Sequence, residues 1–466
     1  MPTKSMTHSF WTASGLAEAT GGAWQGAPPA DTDAIGVSID SRTIQPGELF
    51  IALRGERFDG HKFVADALNK GAIGAMIERS ATDELAGKAP LLIVDDTLAA
   101  LQRLAGQWRT VLRESGCTVI TVAGSNGKTT TRHLIHTILN GAPVAVNELQ
   151  PHRTFTGTQS PRSFNNHIGV PLTLLGALAT HDYVAVEIGT NHPGEVAELG
   201  ALVQPDIAVI VSIGREHLEM FGSVEAVAQE ELSLLRCLPP GGRALIPADD
   251  WLQPLLPETE GITVQHIQPL PTLTRHLSLP GEHAAHNAAA AAQVARWLGV
   301  SDDHVAAALA RVEPVPGRFQ VRTVGELTLI HDAYNANPES VRAALSTMAG
   351  QWPEAKRRVF VFGDMMELGD AAAEAHREVG RWAGQMEDGP VLLVAIGALA
   401  TFAAAEANRV QPAMQVYAWP AWDDALPQRV AELLEPGDVV LLKGSRGMAL
   451  ERLIPAIEKK FVVSGF

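Results

Sequence analysis

The chain has 466 residues, 46% of them hydrophobic and 19% charged, with a formal net charge of −16. That length exceeds one hydrophobic core and predicts about three domains, and the acidic balance argues against a nucleic-acid binder, which needs a basic face. Cys117 and Cys237 stand far apart without partner spacing, which excludes a disulfide framework and a thiolate metal site.

Met1 to Trp11 contains no apolar signal-peptide core, so secretion is not expected. Residues 1–112 mix short strands with turns: Asp40-Ser41-Arg42, then Pro46-Gly47-Glu48-Leu49-Phe50, then Gly55-Glu56-Arg57-Phe58-Asp59-Gly60-His61. A helix over Phe63–Lys70 and an apolar strand over Ala72–Ile77 complete a small α/β domain. Residues 113–317 carry three strands of one design, Thr118–Ala123, Tyr183–Ile188 and Ile207–Ile213, each apolar nearly throughout. A parallel sheet covered on both faces demands that pattern. The alanine-rich helix Ala284–Leu298 packs closely on a neighbour, and Pro314-Val315-Pro316-Gly317 reads as a linker.

In residues 318–466 the strands Leu327–His331, Arg358–Phe362 and Val439–Leu442 each run into a polar loop. Strands alternating with helices again predict a doubly wound sheet. The longest apolar stretch, Val391–Ala405, is broken by Gly397 and Thr401 and reads as a buried strand followed by a helix, too short to span a bilayer. The protein is expected in the cytoplasm. The expected fold is α/β: a small N-terminal domain, a central P-loop ATPase-like parallel sheet and a C-terminal Rossmann-like domain.

Gly124-Ser125-Asn126-Gly127-Lys128-Thr129-Thr130 follows the first central strand directly. Glycines let backbone N–H groups turn toward phosphate oxygens, a lysine neutralises the β- and γ-phosphates, and the first threonine hydroxyl ligates Mg²⁺. A strict Walker loop has glycine six residues before the lysine, where this chain has Val122. The second strand delivers Glu187, Asn191 and His192, and the third Arg215, Glu216 and His217. Open α/β sheets bind ligands at the carboxyl ends of their strands, so the three sets converge on one site. Glu187 sits in an apolar strand, where a charge needs a partner or a metal, so it reads as a Mg²⁺ ligand or a salt-bridged strand end. His217 reads as a metal ligand or a hydrogen-bonded rim residue. ATP and Mg²⁺ follow from these residues; the acceptor does not.

The chain as a whole resembles the Mur ligases, within them the branch that joins D-alanyl-D-alanine to UDP-N-acetylmuramoyl-tripeptide. The marks are the amino-terminal motifs above, Gly124 to Thr130, Asn165-Asn166-His167-Ile168-Gly169, Asn191-His192-Pro193-Gly194-Glu195, Tyr334-Asn335-Ala336-Asn337-Pro338, Gly363-Asp364-Met365-Met366-Glu367-Leu368-Gly369 and Lys443-Gly444-Ser445-Arg446. The resemblance implies an ATP-dependent peptide ligase of peptidoglycan synthesis, working through an acyl phosphate as a monomer without membrane insertion. It implies that Ser41 and Arg42 hold the uridine diphosphate end and that Lys128 meets the γ-phosphate. Thr129 and Glu187 would bind the first Mg²⁺ and His217 a second. Asn287 would meet the adenine, and Arg318 and Asp332 the nucleotide across the domain joint. Lys443, Ser445 and Arg446, with Asn335 and Asn337, would shape the dipeptide end. On their own residues, Asn-Pro and Gly-Asp also read as ordinary turns and Lys-Gly-Ser-Arg as a solvated loop.

Four departures from the family pattern stand out. His167 replaces a glutamate, Ala284 an asparagine, and the loop Asn147–Ser163 is long. Glu231, beside Glu230, occupies the position of a lysine that becomes carbamylated. A glutamate supplying that carboxylate directly is one expectation; a solvated helix face carrying both glutamates is the other. Two further functions are weighed. A related ligase with another acceptor, such as a folate or poly-amino-acid synthetase, is opposed by Ser41-Arg42; a non-catalytic ATP-binding paralogue is kept open by the missing lysine and Ala284.

Overall fold

Each of the three regions builds its own sheet in the computed structural model, which describes residues 9–143 and 153–462 apart from 27, 29–31, 57 and 86. Arg57, the first eight residues and positions 147–152 of the long loop lie outside the described residues. Among the described residues the central sheet has six strands, in the order Thr263–His266, Arg243–Ile246, Ile207–Ile210, Thr118–Ala123, Tyr183–Glu187 and Gly157–Gln159. All five pairings are parallel. Successive side chains of a strand point to opposite faces, and the central strands show it. Val119, Val184, Val186, Ala208 and Ile210 enter one core, whereas Ile120, Val122, Ala185 and Val209 enter the other. Both faces are covered, which is why these strands read as unbroken apolar runs.

The C-terminal sheet runs Gln320–Val324, Leu327–Asp332, Val439–Lys443, Arg358–Gly363, Leu392–Ile396 and Gln415–Trp419. Its first pair is antiparallel and the rest parallel. The N-terminal sheet runs Ala23–Gln25, Leu91–Val94, Gly74–Glu78, Leu49–Ile51 and Val37–Ser38. Edge strands are the elements that sequence periodicity passes over. Gly157–Gln159 has three residues, and Gln320–Val324 exposes Val321, Arg322 and Thr323 in succession, with no alternation. The central strands also end before expectation, at Glu187 and Ile210, where the chain leaves the ladder to form the polar loops.

The helix Thr97–Glu114 ties the first two regions together. Asp96 caps it, accepting from Ala99 N at 2.9 Å. Leu101, Leu104, Ala105, Trp108 and Leu112 recur at helical spacing and fill a core shared by the N-terminal and central sheets, so the helix crosses residue 112 without a break. Arg109, fully buried, donates to Val203 O and Gln204 O at 2.8 Å and to Asp206 Oδ2 at 2.9 Å. The same Asp206 oxygen accepts Val119 N at 2.8 Å, tying the start of the phosphate-loop strand to that of its neighbour. Removing the Arg109 side chain leaves the Val203 and Gln204 carbonyls without their donor and empties a fully buried site, at a cost of about 3 kcal/mol. Arg109→Ala is therefore expected to lower the urea-unfolding free energy by about 3 kcal/mol; a loss below about 1 kcal/mol would show that the pair does not hold the strands.

Candidate active site

The phosphate loop is held open by backbone contacts that only glycine permits. Gly124 has φ +113°, and a Cβ there would lie 2.7 Å from Ser212 O. Gly127 has φ +85°, and a Cβ there would lie 2.5 Å from Asn287 Oδ1. Ser212, just past Ile207–Ile210, shapes the loop: its carbonyl accepts Ser125 N at 2.8 Å and its hydroxyl accepts Asn126 N at 2.9 Å. The helix Lys128–Leu139 then begins behind Gly127 with no side-chain cap. Its first-turn N–H groups and positive dipole end therefore face the cleft available to an anion.

Two buried acids stand at this helix terminus. Glu187, 1% exposed, accepts from Thr129 Oγ1 at 3.1 Å and Asn165 Nδ2 at 3.2 Å on one oxygen and from Arg132 Nε at 3.2 Å on the other. Glu216 Oε2 lies 3.3 Å from Lys128 Nζ, and its other oxygen lies 3.5 Å from His217 Nε2. His217 Nδ1 continues the row to Glu367 of the C-terminal region at 2.8 Å. Burial disfavours the imidazolium, but Glu216 and Glu367 outweigh it and lift His217 to about 9. In that state the ring offers no lone pair to a metal. Burial likewise opposes the Lys128 ammonium, and Glu216, Glu231 and Glu187 more than offset it, raising its pKa.

The C-terminal region closes the other side of a cleft of about 630 Å³. Arg318 lies over the Tyr334 ring at 4.0 Å and reaches Thr129 Oγ1 at 3.3 Å. Its Nε is buried and unpartnered among the described residues. Asp332 accepts Phe319 N at 2.9 Å and Lys443 Nζ at 2.8 Å, and Lys443 also reaches Asn335 O. Asn337 donates to Asn126 Oδ1 at 2.9 Å, while Arg215 forks to Glu339 and Glu378 at 2.6 Å each. Ser445 Oγ accepts Met366 N at 2.9 Å, and Arg446 lines the cleft while pairing with Glu451.

Ser125, Asn126, Gly127, Lys128, Thr130, Glu187, His217, Asn287, Arg318, Asp332, Asn335, Lys443, Ser445 and Arg446 all line this cleft. Thr129 and Asn337 join it through the hydrogen bonds above, and Gly124 does not line it. Ser41 and Arg42 do not reach it: Ser41 is buried in the N-terminal domain, and Arg42, its side chain 85% exposed, pairs with its neighbour Asp40. Neither glutamate of the Val224–Leu232 helix is solvated, which corrects that expectation; Glu230 is 8% and Glu231 1% exposed. Glu230 accepts Gly194 N and Val196 N at 2.8 Å, capping the earlier helix Glu195–Val203, and Glu231 accepts Gly124 N at 2.8 Å beneath the loop. Glu231 is thus behind the phosphate loop, not on the cleft wall. His192 does not line the cleft, although Asn191 and its own ion-pair partner Glu195, 3.5 Å away, do. Sequence reasoning missed Arg132 and Ser212, and quoted Tyr334 within a motif without giving it a role. Arg132, a cation one helical turn past Lys128, was the one readable signal.

Among the described residues, no group of three or more His, Cys, Asp or Glu converges as a metal cage. Thr129 and Glu187 nevertheless fit Mg²⁺, which takes one or two hard protein oxygens and leaves its other positions to water and phosphate.

Burial pushes the Glu231 carboxyl from 4.5 up to about 7, with Lys128 opposing and Glu216 adding to the rise. An acid whose pKa is raised on folding favours the fold fully below its unfolded value and loses that contribution as pH climbs through the folded one. Glu231→Gln keeps an acceptor for Gly124 N but cannot ionise. Its melting temperature relative to wild type is expected to rise between pH 4.5 and about 8; a difference constant with pH would contradict the burial argument.

Three family models match along the chain: "Mur ligase family, catalytic domain" over residues 34–109, "Mur ligase middle domain" over 122–268 and "Mur ligase, glutamate ligase domain" over 317–446. The UDP-N-acetylmuramoyl-tripeptide--D-alanyl-D-alanine ligase of Bacillus subtilis is 33% identical, covering 90% of this chain and 92% of its own. The Escherichia coli protein of the same name is 32% identical over 96% and 98%. The crystal structure of MurF from Acinetobacter baumannii superposes with a TM-score of 0.79 at 30% identity, covering 96% of this chain and 99% of that one. Full-length relatedness, the three matched models and the shared α/β architecture together place this chain in the Mur ligase family.

Proposed function

We propose that this chain joins D-alanyl-D-alanine to UDP-N-acetylmuramoyl-tripeptide with cleavage of ATP to ADP and phosphate, as a cytoplasmic monomer supplying peptidoglycan precursors. The observation that carries this reading is the cleft itself: an uncapped helix start behind Gly127, Lys128 and buried Glu187 face Arg318, Lys443 and Arg446 from a second sheet. The relatives named above supply the substrates. No helix among the described residues is long and apolar enough to cross a membrane.

The terminal carboxylate of the tripeptide attacks the γ-phosphorus, forming an acyl phosphate as ADP leaves. The dipeptide amine then attacks the acyl carbon, and inorganic phosphate leaves. Both reactants of the first step are anions, so the work of the site is neutralisation and alignment. In this reading Lys128 and the N–H groups of the loop hold the phosphates, and Asn287 takes the adenine. Arg318 and Asp332 bring the C-terminal domain to the nucleotide. A Mg²⁺ held by Thr129 and Glu187 would supply Lewis-acid neutralisation of the phosphate oxygens. His217 would join a second metal through Nε2, in its neutral form, with Nδ1–H still donating to Glu367, and Glu231 supports the loop from beneath. Ser41 and Arg42 hold the uridine diphosphate, while Asn335, Asn337, Lys443, Ser445 and Arg446 shape the dipeptide end.

Phosphate release is expected only when ATP, the uridine-linked tripeptide and D-alanyl-D-alanine are all present, with ¹⁸O from the tripeptide carboxylate appearing in the phosphate. Equal release with either acceptor omitted would overturn the assignment. Lys128→Ala is expected to lower kcat by about 10³-fold, the loss typical of one preorganised charge-stabilising donor. Glu187→Gln should raise the Mg²⁺ concentration for half-maximal activity by about tenfold; an unchanged Mg²⁺ dependence would remove Glu187 from the metal site.

A further inference from the structure

Lys128 has no spare donor. Its Nζ reaches Gly124 O at 2.5 Å, Ser125 O at 3.3 Å and Glu216 Oε2 at 3.3 Å. An ammonium carries three N–H donors, so all are engaged, and meeting a phosphate requires giving one up. Two of the acceptors are neutral carbonyls of the loop itself. The third is a carboxylate from another strand end, and the Lys128 and Glu216 side chains are only 13% and 10% exposed.

Glu216 is also fixed from its own side. Its neighbours Arg215 and His217 both turn to the C-terminal domain, to Glu339 and Glu378 and to Glu367, while Glu216 alone turns inward to the lysine. His217 Nε2 lies 3.5 Å from its second oxygen, so Glu216 keeps a polar neighbour when the lysine leaves. The carboxylate therefore has a partner to stay with and does not need to swing into solvent.

We propose that Glu216 is a positioning residue that acts as the counter-ion of Lys128 in the nucleotide-free protein and is displaced from it by the nucleotide's phosphates. The inference rests on the reading that this loop binds ATP. Before nucleotide arrives, Glu216 keeps a buried ammonium aimed and charged. Afterwards it remains beside the phosphates, and its repulsion offsets part of their attraction to the lysine. Glu216 thus lowers affinity for the phosphate chain and leaves the nucleoside end of the site untouched.

Calorimetric binding of ATP and of adenosine, each with Mg²⁺ and with a chelator, separates this role from others. Glu216→Gln is expected to bind ATP about tenfold more tightly in both conditions, with adenosine affinity unchanged. Glu216→Asp, which keeps the charge but withdraws it by one methylene, is expected to fall between, about threefold tighter than wild type. It carries the test alone if the glutamine variant fails to fold. Unchanged ATP affinity in both variants would overturn the proposal. So would ATP binding weakened only with Mg²⁺, which would make Glu216 a metal ligand, or ATP and adenosine weakened together, which would make it scaffold. A wild type that binds no ATP would remove the reading beneath, and this inference with it.

Discussion

A row of alternating charges, Lys128, Glu216, His217 and Glu367, crosses from the phosphate loop to the C-terminal sheet, and the site depends on its neutrality. Lys128, Glu216 and His217 are largely buried and each needs a partner at that depth, while Glu367, about half exposed, ends the row at the solvent. Each is held by the next, so the position of the C-terminal region is written into the state of the lysine. Arg215 with Glu339 and Glu378 reinforces the joint from the same loop, and Asn126 with Asn337 closes it from the phosphate-loop side. A polyanion entering the cleft changes the charge balance of this whole row.

Geometry explains why the row forms there. Parallel strands release their chains at one edge of a sheet, and both larger sheets turn that edge toward the shared cleft. Thr118–Ala123, Tyr183–Glu187 and Ile207–Ile210 were legible from their unbroken apolar runs, as was the phosphate loop from its glycines and Lys-Thr. The edge strands Gly157–Gln159 and Gln320–Val324 were not, because three residues, or a strand exposed at three successive positions, give too little periodicity. The partners of the site residues were equally hidden. Ser212 acts on the loop through its backbone and a hydroxyl, and Glu216 meets Lys128 across 88 positions of sequence, so no local pattern announces either.

Glu230 and Glu231 show where local reading fails most. Val224–Leu232 carries little amphipathic contrast, so two adjacent glutamates look like a wet face. The fold instead inserts them between two backbone segments that lack acceptors: the start of the helix Glu195–Val203 and the first glycine of the phosphate loop. An acceptor at a helix start or a strained loop is worth more than hydration when the surroundings are apolar. Ser41 and Arg42 illustrate the opposite case, a readable motif whose residues sit in the N-terminal domain, outside the central cleft.

The central claim is that the first turn of the helix Lys128–Leu139 receives the nucleotide's phosphates, facing the C-terminal sheet. A crystal structure with a non-hydrolysable ATP analogue and Mg²⁺ tests it most directly. The account predicts the phosphate chain on the N–H groups of residues 127–130, with Arg318 against it and the metal on the Thr129 and Glu187 oxygens. Phosphates bound elsewhere, with the first turn still empty at saturating analogue, would contradict it.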